Sequence, residues 1–270
     1  MKRFLWVLSI VAVLGGAAQA GPSSVLYLTA GDQGNNWIVQ GTSTTVFTQA
    51  QPGEYAIAVS GDVRTTGPFI GVAGAQYTLG GVYTGVDYFA TVGNLYDGAT
   101  DGTVNYSVDF GSGRVYQFDR DWSTPTLLFN SGLGGGNALG ITYDTGTGTL
   151  WVSEWNGTTV KNYTLGGTLL SSFSTCFNEI ASLAYDSADG TLWMGTQSDL
   201  GTNPRTLYQY STAGLLLSTE TYASLVNKNY LGGEFNVVAR AVPEPASLTL
   251  LGIAAISGGV VRFRRKRAAI

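Results

Sequence analysis

The chain has 270 residues, with 38 glycines, one cysteine, no histidine and a formal net charge of −4. The lack of histidine excludes nucleophile triads with a histidine base, the usual zinc sites and haem held through histidine. Cys176 has no second cysteine with which to form a disulfide, so packing must stabilise the fold. We therefore expect a noncatalytic protein with no catalytic residue, no metal and no cofactor.

The first twenty residues have the pattern of a secretory signal peptide. Lys2 and Arg3 precede an apolar stretch over residues 4–14, and residues 18–20 (AQA) form a small-residue cleavage site. We expect signal peptidase to remove residues 1–20 as the chain leaves the cytoplasm.

The exported part of the chain is acidic. Residues 21–240 contain seven Lys and Arg against seventeen Asp and Glu, a net charge of −10. This charge argues against nucleic acid as a partner, because binding to nucleic acid depends on cations that neutralise phosphates. Residues 21–241 are long enough for one large all-β domain with a sizeable core.

Short strands with alternating apolar residues are predicted before residue 100. Segments 25–28, 37–39 and 46–47 form one group, and segments 55–60 and 76–79 form a second. The alternation is looser here than later in the chain, so these two groups are assigned mainly by their spacing.

The middle of the chain carries a repeat with an offset of 42 residues. Residues 139–152 read LGITYDTGTGTLWV, and residues 181–194 read ASLAYDSADGTLWM in the same register. Each copy predicts a strand, a turn of Asp and Gly, and a second strand. A second hairpin follows each copy at residues 160–173 and 207–220, and an earlier hairpin of this kind covers residues 115–129.

Four strands in each 42 to 47 residues are typical of a β-propeller blade. The exported length predicts about five blades, or six if some are shortened. A β-sandwich is the alternative, since it shares the alternating strands and glycine turns but does not require the repeat. We expect residues 235–239 (FNVVA) to pair beside the N-terminal strands and close the ring, which leaves no exposed sheet edge there.

The motif YDxxxGTLW, which occurs twice within residues 139–195, resembles SMP-30/NHL-type extracytoplasmic propellers. The resemblance implies a propeller fold but no particular activity, because propellers serve as lactonases, lyases, lectins and scaffolds. Lactonase-type relatives hold a divalent ion with carboxylates and amides in the central channel. No such ligand set can be matched to this sequence residue by residue.

Glu154 and Trp155 are the candidate ligand contacts. They follow the strand at Trp151, at a point where a propeller strand reaches a face of the ring. Aromatic faces stack on pyranose rings and carboxylates accept hydrogen bonds from hydroxyls, so the pair is suited to sugar binding. The alternative is that Trp155 is a rim aromatic without a ligand. Trp151 and Trp193, which are equivalent in the repeat, are expected in the core.

Two other acidic segments are interpreted without a ligand. Asp186 and Asp189 are assigned to a turn, because a calcium loop needs alternating acidic ligands and a distal Glu. Residues 119–122 (DRDW) predict a charged and solvated hairpin.

The C-terminal segment has three parts. Pro243, Glu244 and Pro245 form an extended motif, because proline restricts both its own backbone and that of the residue before it. Residues 246–261 are an apolar run that would span about 24 Å as a helix, slightly short of a bilayer core. A basic cluster then favours a cytoplasmic end; it consists of Arg262, Arg264, Arg265, Lys266 and Arg267.

This arrangement over residues 242–267 resembles the PEP-CTERM sorting signal of Gram-negative bacteria that make exopolysaccharide. The resemblance implies that the membrane protease-transpeptidase exosortase recognises Pro243, Glu244 and Pro245. It also implies a transmembrane helix over residues 246–261, which holds a sorting intermediate in the inner membrane and is then removed. Transfer to a surface acceptor would leave the protein at the cell surface or in the extracellular matrix. The alternative is a C-terminal anchor that is never cleaved.

Two functions are compatible with these features. The first is an exosortase-sorted surface or matrix protein with a noncatalytic propeller that binds exopolysaccharide. The second is a carboxylate- or metal-dependent extracellular enzyme, such as a lactonase, lyase or hydrolase. The enzyme hypothesis requires at least two acids from one set to converge in the central channel; the set is Asp144, Glu154, Glu179 and Asp186.

Overall fold

The computed structural model describes residues 21–31, 34–197, 205–225 and 231–237. These residues form five antiparallel sheets of four strands each, arranged as a five-bladed β-propeller. The expected all-β propeller is confirmed with the lower of the two blade numbers, and the β-sandwich alternative is wrong. Within the described ranges, the only helical element is the 3-10 turn Ala223–Leu225.

The strands run in chain order from the N-terminal blade onward. Three strands of blade 1 are β1 (Leu26–Thr29), β2 (Asn35–Gln40) and β3 (Ser43–Thr48), and its fourth strand comes from the C-terminal part of the domain. Blade 2 consists of β4 (Ala56–Val59), β5 (Val63–Thr66), β6 (Ala73–Tyr77) and β7 (Tyr83–Phe89). Blade 3 consists of β8 (Leu95–Thr100), β9 (Val104–Asp109), β10 (Arg114–Asp119) and β11 (Thr126–Asn130).

The 42-residue repeat corresponds to the next two blades. Blade 4 consists of β12 (Ala138–Asp144), β13 (Thr149–Glu154), β14 (Thr159–Thr164) and β15 (Leu169–Ser174). Blade 5 consists of β16 (Ile180–Asp186), β17 (Thr191–Thr196), β18 (Arg205–Ser211) and β19 (Leu216–Tyr222). In blades 2 to 5 the first strand lies at the centre of the ring and the fourth at its edge.

A strand from the C-terminal part of the exported chain closes the ring. β20 (Gly232–Phe235) is the inner strand of blade 1 and pairs antiparallel with β1, with Leu26 opposite Phe235. The expected pairing beside the N-terminal strands is therefore confirmed, but the predicted segment 235–239 is wrong, because the strand begins before Phe235 and ends at it. Its start was missed because Gly232 and Gly233 have no side chains and give no alternating pattern. Ser24 adds a second closure, donating hydrogen bonds from its backbone N and its Oγ to the Asp186 carboxylate of blade 5.

Tryptophans on the second strands pack one blade against the next. Trp151 of blade 4 is 1% exposed and lies with Leu183 and Leu192 of blade 5. Trp193 of blade 5 is 1% exposed and lies with Leu26 of blade 1. The expectation that these repeat-equivalent tryptophans belong to the core is confirmed.

The Asp-Gly segments form the predicted turns. The Asp186 carboxylate accepts a hydrogen bond from the Ala188 N–H at 3.0 Å, and the Asp189 carboxylate accepts one from the Thr191 N–H at 3.1 Å. Gly190 closes this turn with φ of 72°, a left-handed conformation that favours glycine. The turn assignment of Asp186 and Asp189 is therefore confirmed.

Residues 119–122 form the predicted hairpin between β10 and β11, with Asp119 and Asp121 exposed, but the prediction is wrong for Arg120 and Trp122. The Arg120 guanidinium lies 3.0 Å from the Asp62 carboxylate of blade 2, which also binds Arg64 at 2.8 Å. Trp122 is 0% exposed and packs against Phe118. The charged pattern misled the prediction because Asp62, the partner of Arg120, lies 58 residues earlier in the chain.

Candidate functional site

One buried carboxylate lies among the inner strands of the ring. Asp97 on β8 is 0% exposed, and its Oδ1 accepts hydrogen bonds from the backbone N–H groups of Gly98 and Gly233, both at 2.9 Å. Its Oδ2 accepts hydrogen bonds from Ile141 at 2.9 Å and Leu183 at 3.0 Å. These donors lie on β8, β12, β16 and β20, so one side chain joins the inner strands of four blades.

Glycine allows the inner strands to approach this closely. A Cβ atom at Gly98 would lie 2.8 Å from the carbonyl oxygen of Ile57, on the neighbouring strand β4. A Cβ atom at Gly232 would lie 2.4 Å from the carbonyl oxygen of Tyr55. Both contacts are with backbone, which cannot yield as a flexible side chain can, so any larger residue would push the blades apart.

A second buried carboxyl lies near Asp97. Glu234 on β20 is 1% exposed; its Oε1 accepts a hydrogen bond from the Phe235 N–H at 3.1 Å, while its Oε2 is buried without a hydrogen-bond partner. Burial and the charge of Asp97 hold the pKa of Glu234 well above its usual range. Burial also raises the pKa of Asp97, and its four N–H donors oppose that effect.

Glu234→Gln is expected to stabilise the domain in a pH-dependent way. Because the folded-state pKa of Glu234 is raised, its contribution to stability is fully present below the unfolded pKa and is lost as pH rises toward the folded pKa. The free energy of unfolding of the variant should match that of wild type near pH 4 and exceed it at pH 8, where wild type has lost part of the contribution of the protonated carboxyl. Urea unfolding at both pH values measures this, with Glu220→Gln on the outer strand β19 as control. An equal effect at both pH values would contradict it.

A cavity of about 220 Å³ lies at the face of the propeller where the inner strands begin. Its base is formed by residues at the start of the inner strands, including Tyr96, Leu139 and Leu231. Its wall is formed by Phe110, Trp155 and Gln197; these residues directly follow the second strands of blades 3, 4 and 5. We call this cavity the aromatic cup.

Three aromatic rings line the cup, and the ring of Tyr55 packs against the first of them. The ring centroids of Tyr55 and Tyr96 are 5.4 Å apart, and those of Tyr96 and Phe110 are 5.5 Å apart. The rings of Phe110 and Trp155 follow at 5.6 Å, and all three pairs meet edge to face. Each ring is held by its neighbours, so the cup is preformed.

The structure places Trp155 in the cup and Glu154 beside it. Glu154 is the last residue of β13, and its Oε1 accepts a hydrogen bond from the Asn137 side-chain N–H at 2.9 Å. Glu154 is not among the residues that line the cavity. The indole N–H of Trp155 is buried, so a ligand in the cup would contact the carbon surface of the indole.

Glu179 links two walls of the cup through its backbone. Its N–H donates a hydrogen bond to the Trp155 carbonyl at 2.7 Å, and its carbonyl accepts one from the Gln197 N–H at 2.9 Å. It does so with φ of 57°, an unfavourable conformation for a residue with a side chain. The bridge fixes the spacing between the wall residues of blades 4 and 5.

The four candidate acids of the enzyme hypothesis are divided between the two ends of the inner strands. Glu154 and Glu179 lie at the cup, whereas Asp144 and Asp186 lie in the turns that follow β12 and β16. The Asp144 carboxylate accepts hydrogen bonds from the backbone N–H groups of its own turn. In the part of the chain that the structure describes, no three His, Cys, Asp or Glu side chains are grouped to hold a metal.

Several sequence-predicted features lie outside the described residues. These are the signal peptide, the sorting residues Pro243, Glu244 and Pro245, and the apolar and basic segments over residues 246–267. No helix within the described ranges is long and apolar enough to cross a membrane.

A scan against protein-family models matches residues 241–266 to the PEP-CTERM protein-sorting motif. The chain therefore carries this motif C-terminal to a five-bladed propeller. The motif marks the chain as an exported substrate of exosortase. The match agrees within one residue with the boundaries 242–267 expected from the sequence. A search of curated proteins finds no match.

One solved structure supports the fold with a TM-score above 0.5, and two others are less similar. A chain of the nidogen/laminin complex is 15% identical with a TM-score of 0.54, over 81% of this chain and 100% of that chain. Glutaminyl cyclase from Myxococcus xanthus is 15% identical with a TM-score of 0.48, over 64% of this chain and 72% of its own. Virginiamycin B lyase from Staphylococcus aureus is 15% identical with a TM-score of 0.43, over 73% and 69%. Similarity at these identities concerns the fold alone.

Proposed function

We propose that this protein is a noncatalytic component of the cell surface or extracellular matrix of a Gram-negative bacterium, and that its aromatic cup binds exopolysaccharide. The observation that supports export and delivery to the surface is the PEP-CTERM motif over residues 241–266. The motif supports export, a sorting intermediate in the inner membrane, and processing by exosortase at Pro243–Pro245. The surface acceptor and the matrix location are part of the proposal.

The chemistry of the cup supports a sugar as the ligand. Aromatic carbon surface from Tyr96, Phe110 and Trp155 can stack on the C–H face of a pyranose ring. The lining carries no charged side chain. A neutral sugar is thus favoured over an anionic one, because no cation among the lining residues would pair with an anion.

The geometry of the channel supports a noncatalytic role. Asp97 joins the inner strands of four blades and has both oxygens committed to backbone N–H groups. The acids nearest the cup, Glu154 and Glu179, do not line its cavity. The cup therefore offers surface and shape for binding, without a pair of acids that face a common substrate atom.

The position of the cup on the domain is consistent with display of a binding face. The inner strand β20 begins next to Leu231 in the cup, and Val237 follows it at the opposite face, where its N–H donates to the Val59 carbonyl at 2.9 Å. A polymer bound in the cup would thus lie away from Val237, after which the chain continues toward the sorting motif.

Trp155→Ala tests the binding proposal. We expect the affinity of the processed chain, residues 21–241, for the neutral exopolysaccharide of its host to fall about tenfold, because the largest stacking surface is lost. Affinity gel electrophoresis measures the effect. Tyr83→Ala, which removes an exposed aromatic ring on the outer strand β7, is the matched control and should bind as wild type. No retardation of the wild-type chain by the polymer would refute the binding proposal.

A further inference from the structure

Each wall residue of the aromatic cup is held in the same way. Its N–H donates a hydrogen bond to the carbonyl of the residue that directly precedes the inner strand of its own blade. These bonds measure 3.0 Å from Phe110 to Asn94, 2.6 Å from Trp155 to Asn137 and 2.9 Å from Gln197 to Glu179. The start of each inner strand therefore fixes the backbone of the wall residue in its blade.

In blade 4 the side chain of Asn137 adds two further hydrogen bonds. Its Oδ1 accepts one from the Asn156 N–H at 2.6 Å, and its Nδ2 donates one to Glu154 Oε1 at 2.9 Å. Asn137 thus bonds to three consecutive residues, with Trp155 in the middle. Rotation of the peptide groups on either side of Trp155 would break at least one of these bonds, so the backbone that carries the indole is fixed.

The Glu154 carboxylate is turned back over its own turn. Its Oε1 accepts the hydrogen bond from Asn137, and its Oε2 lies so close to Gly157 that a Cβ atom there would be 2.2 Å away. Glycine at position 157 leaves room for this arrangement. Because Glu154 does not line the cavity either, its carboxylate is a partner of Asn137 and is not presented to a ligand in the cup.

Trp155 is also held from the side of its neighbours. Its carbonyl accepts a hydrogen bond from the Glu179 N–H at 2.7 Å, and its ring meets that of Phe110 at 5.6 Å between centroids. An aromatic surface that is already ordered binds more tightly than a mobile one, since no ordering is needed on binding. Loss of the side-chain bonds of Asn137 should therefore weaken binding although Asn137 itself touches no ligand.

We propose that Asn137 is a positioning residue of the aromatic cup, whose side chain, paired with the Glu154 carboxylate, holds Trp155 in the orientation that receives a sugar ring. The inference rests on the proposed function for its ligand, whereas the positioning is a property of the protein without ligand. Glu154 then affects binding only through Asn137.

Tryptophan fluorescence reports on this positioning without any ligand. β20 closes the ring before residue 238, so the processed chain of residues 21–241 contains all five blades. Trp155 is partly exposed, and the other tryptophans of this chain are at most 1% exposed; these are Trp37, Trp122, Trp151 and Trp193. Quenching by acrylamide thus measures chiefly access to the Trp155 indole, and Trp155→Phe supplies the baseline.

Variants of the pair test the proposal by reversing its polarity. Asn137→Asp places a second carboxylate against Glu154, so acrylamide quenching should rise and affinity for the host's neutral exopolysaccharide should fall about fivefold. Glu154→Gln keeps an oxygen that accepts the bond from Asn137, and it should match wild type in both measurements. The double variant Asn137→Asp/Glu154→Gln restores a donor and an acceptor with their positions exchanged, and it should recover both wild-type values.

Asn130→Asp is the matched control. Asn130 is exposed at the end of β11 and its Oδ1 accepts a hydrogen bond from the Gly132 N–H at 2.8 Å, which an aspartate can also accept. It introduces the same charge away from the cup and should leave quenching and affinity unchanged. All measurements are made well below the urea midpoint of each variant, so that they report on the orientation of Trp155 in the folded protein.

The remaining outcomes separate the positioning from the proposed function. If Asn137→Asp changes neither measurement, or the double variant does not recover, the positioning role is wrong. If Glu154→Gln loses affinity while its quenching stays at the wild-type value, Glu154 contacts the ligand directly and the positioning role is again wrong. If wild type binds no polymer but quenching follows the expected pattern, the positioning of Trp155 stands and the proposed function fails.

Discussion

Asp97→Ala is expected to prevent the propeller from folding stably. The substitution removes the acceptor for four backbone N–H groups that lie on β8, β12, β16 and β20. Each buried donor left without a partner costs about 1–3 kcal/mol, so the loss is about 4 kcal/mol or more. A whole domain is stable by only about 5–15 kcal/mol, and the variant should be largely unfolded or readily digested by protease.

Asp97→Asn provides a graded version of the same experiment. The amide oxygen keeps two of the N–H partners, while the amide nitrogen turns two donors toward the others. We expect a lower urea midpoint than wild type and a higher one than Asp97→Ala, measured by tryptophan fluorescence. Asp119→Asn, at the exposed end of β10, is the matched control. Its free energy of unfolding should lie within about 0.5 kcal/mol of that of wild type. A midpoint for Asp97→Asn equal to that of the control would contradict the role assigned to this carboxylate.

Replacement of Pro243, Glu244 and Pro245 by alanine is expected to stop sorting completely. The rest of the apolar and basic segment is unchanged in this variant, so the chain should still be exported and held at the inner membrane. Alanine removes the proline-restricted extended backbone and the carboxylate that together define the motif. The processed form should therefore be absent from the surface and the medium.

Cell fractionation with immunoblotting measures this effect in the native host. Val242→Ala is the matched control, because it changes a neighbouring residue and leaves the three motif residues intact. It should be processed as wild type is. Surface delivery of the triple alanine variant at the wild-type level would mean that the motif does not direct sorting.

The sequence was informative about the fold where the repeat is regular. The pairs Tyr143 and Asp144, and Tyr185 and Asp186, specify a strand and a turn locally, so blades 4 and 5 could be predicted from alternation and turn residues. β20 was placed correctly beside β1 but given the wrong bounds, and its start was missed because Gly232 and Gly233 carry no hydrophobic pattern. Local patterns could not reveal Asp97, whose partners lie up to 136 residues away.

The candidate site was predictable only in part for a related reason. Trp155 was noticed because it follows a repeat strand, and the same rule applied to blades 3 and 5 would have found Phe110 and Gln197. Their meeting in one cup depends on the curvature of the ring, which no single blade encodes. Arg120 was misjudged because its charge is neutralised by Asp62 on another blade, and a run of charges does not indicate its own burial.

The intact mass of the wild-type protein from each cell fraction of its native host is the measurement to make first. We expect a species that begins at Gly21 and ends near Pro243–Pro245, with or without an added acceptor mass, in the outer surface or matrix fraction. A species that retains Arg262 to Arg267 and remains in the inner membrane would contradict this. The C-terminal segment would then be a permanent anchor, and the propeller would act in the periplasm.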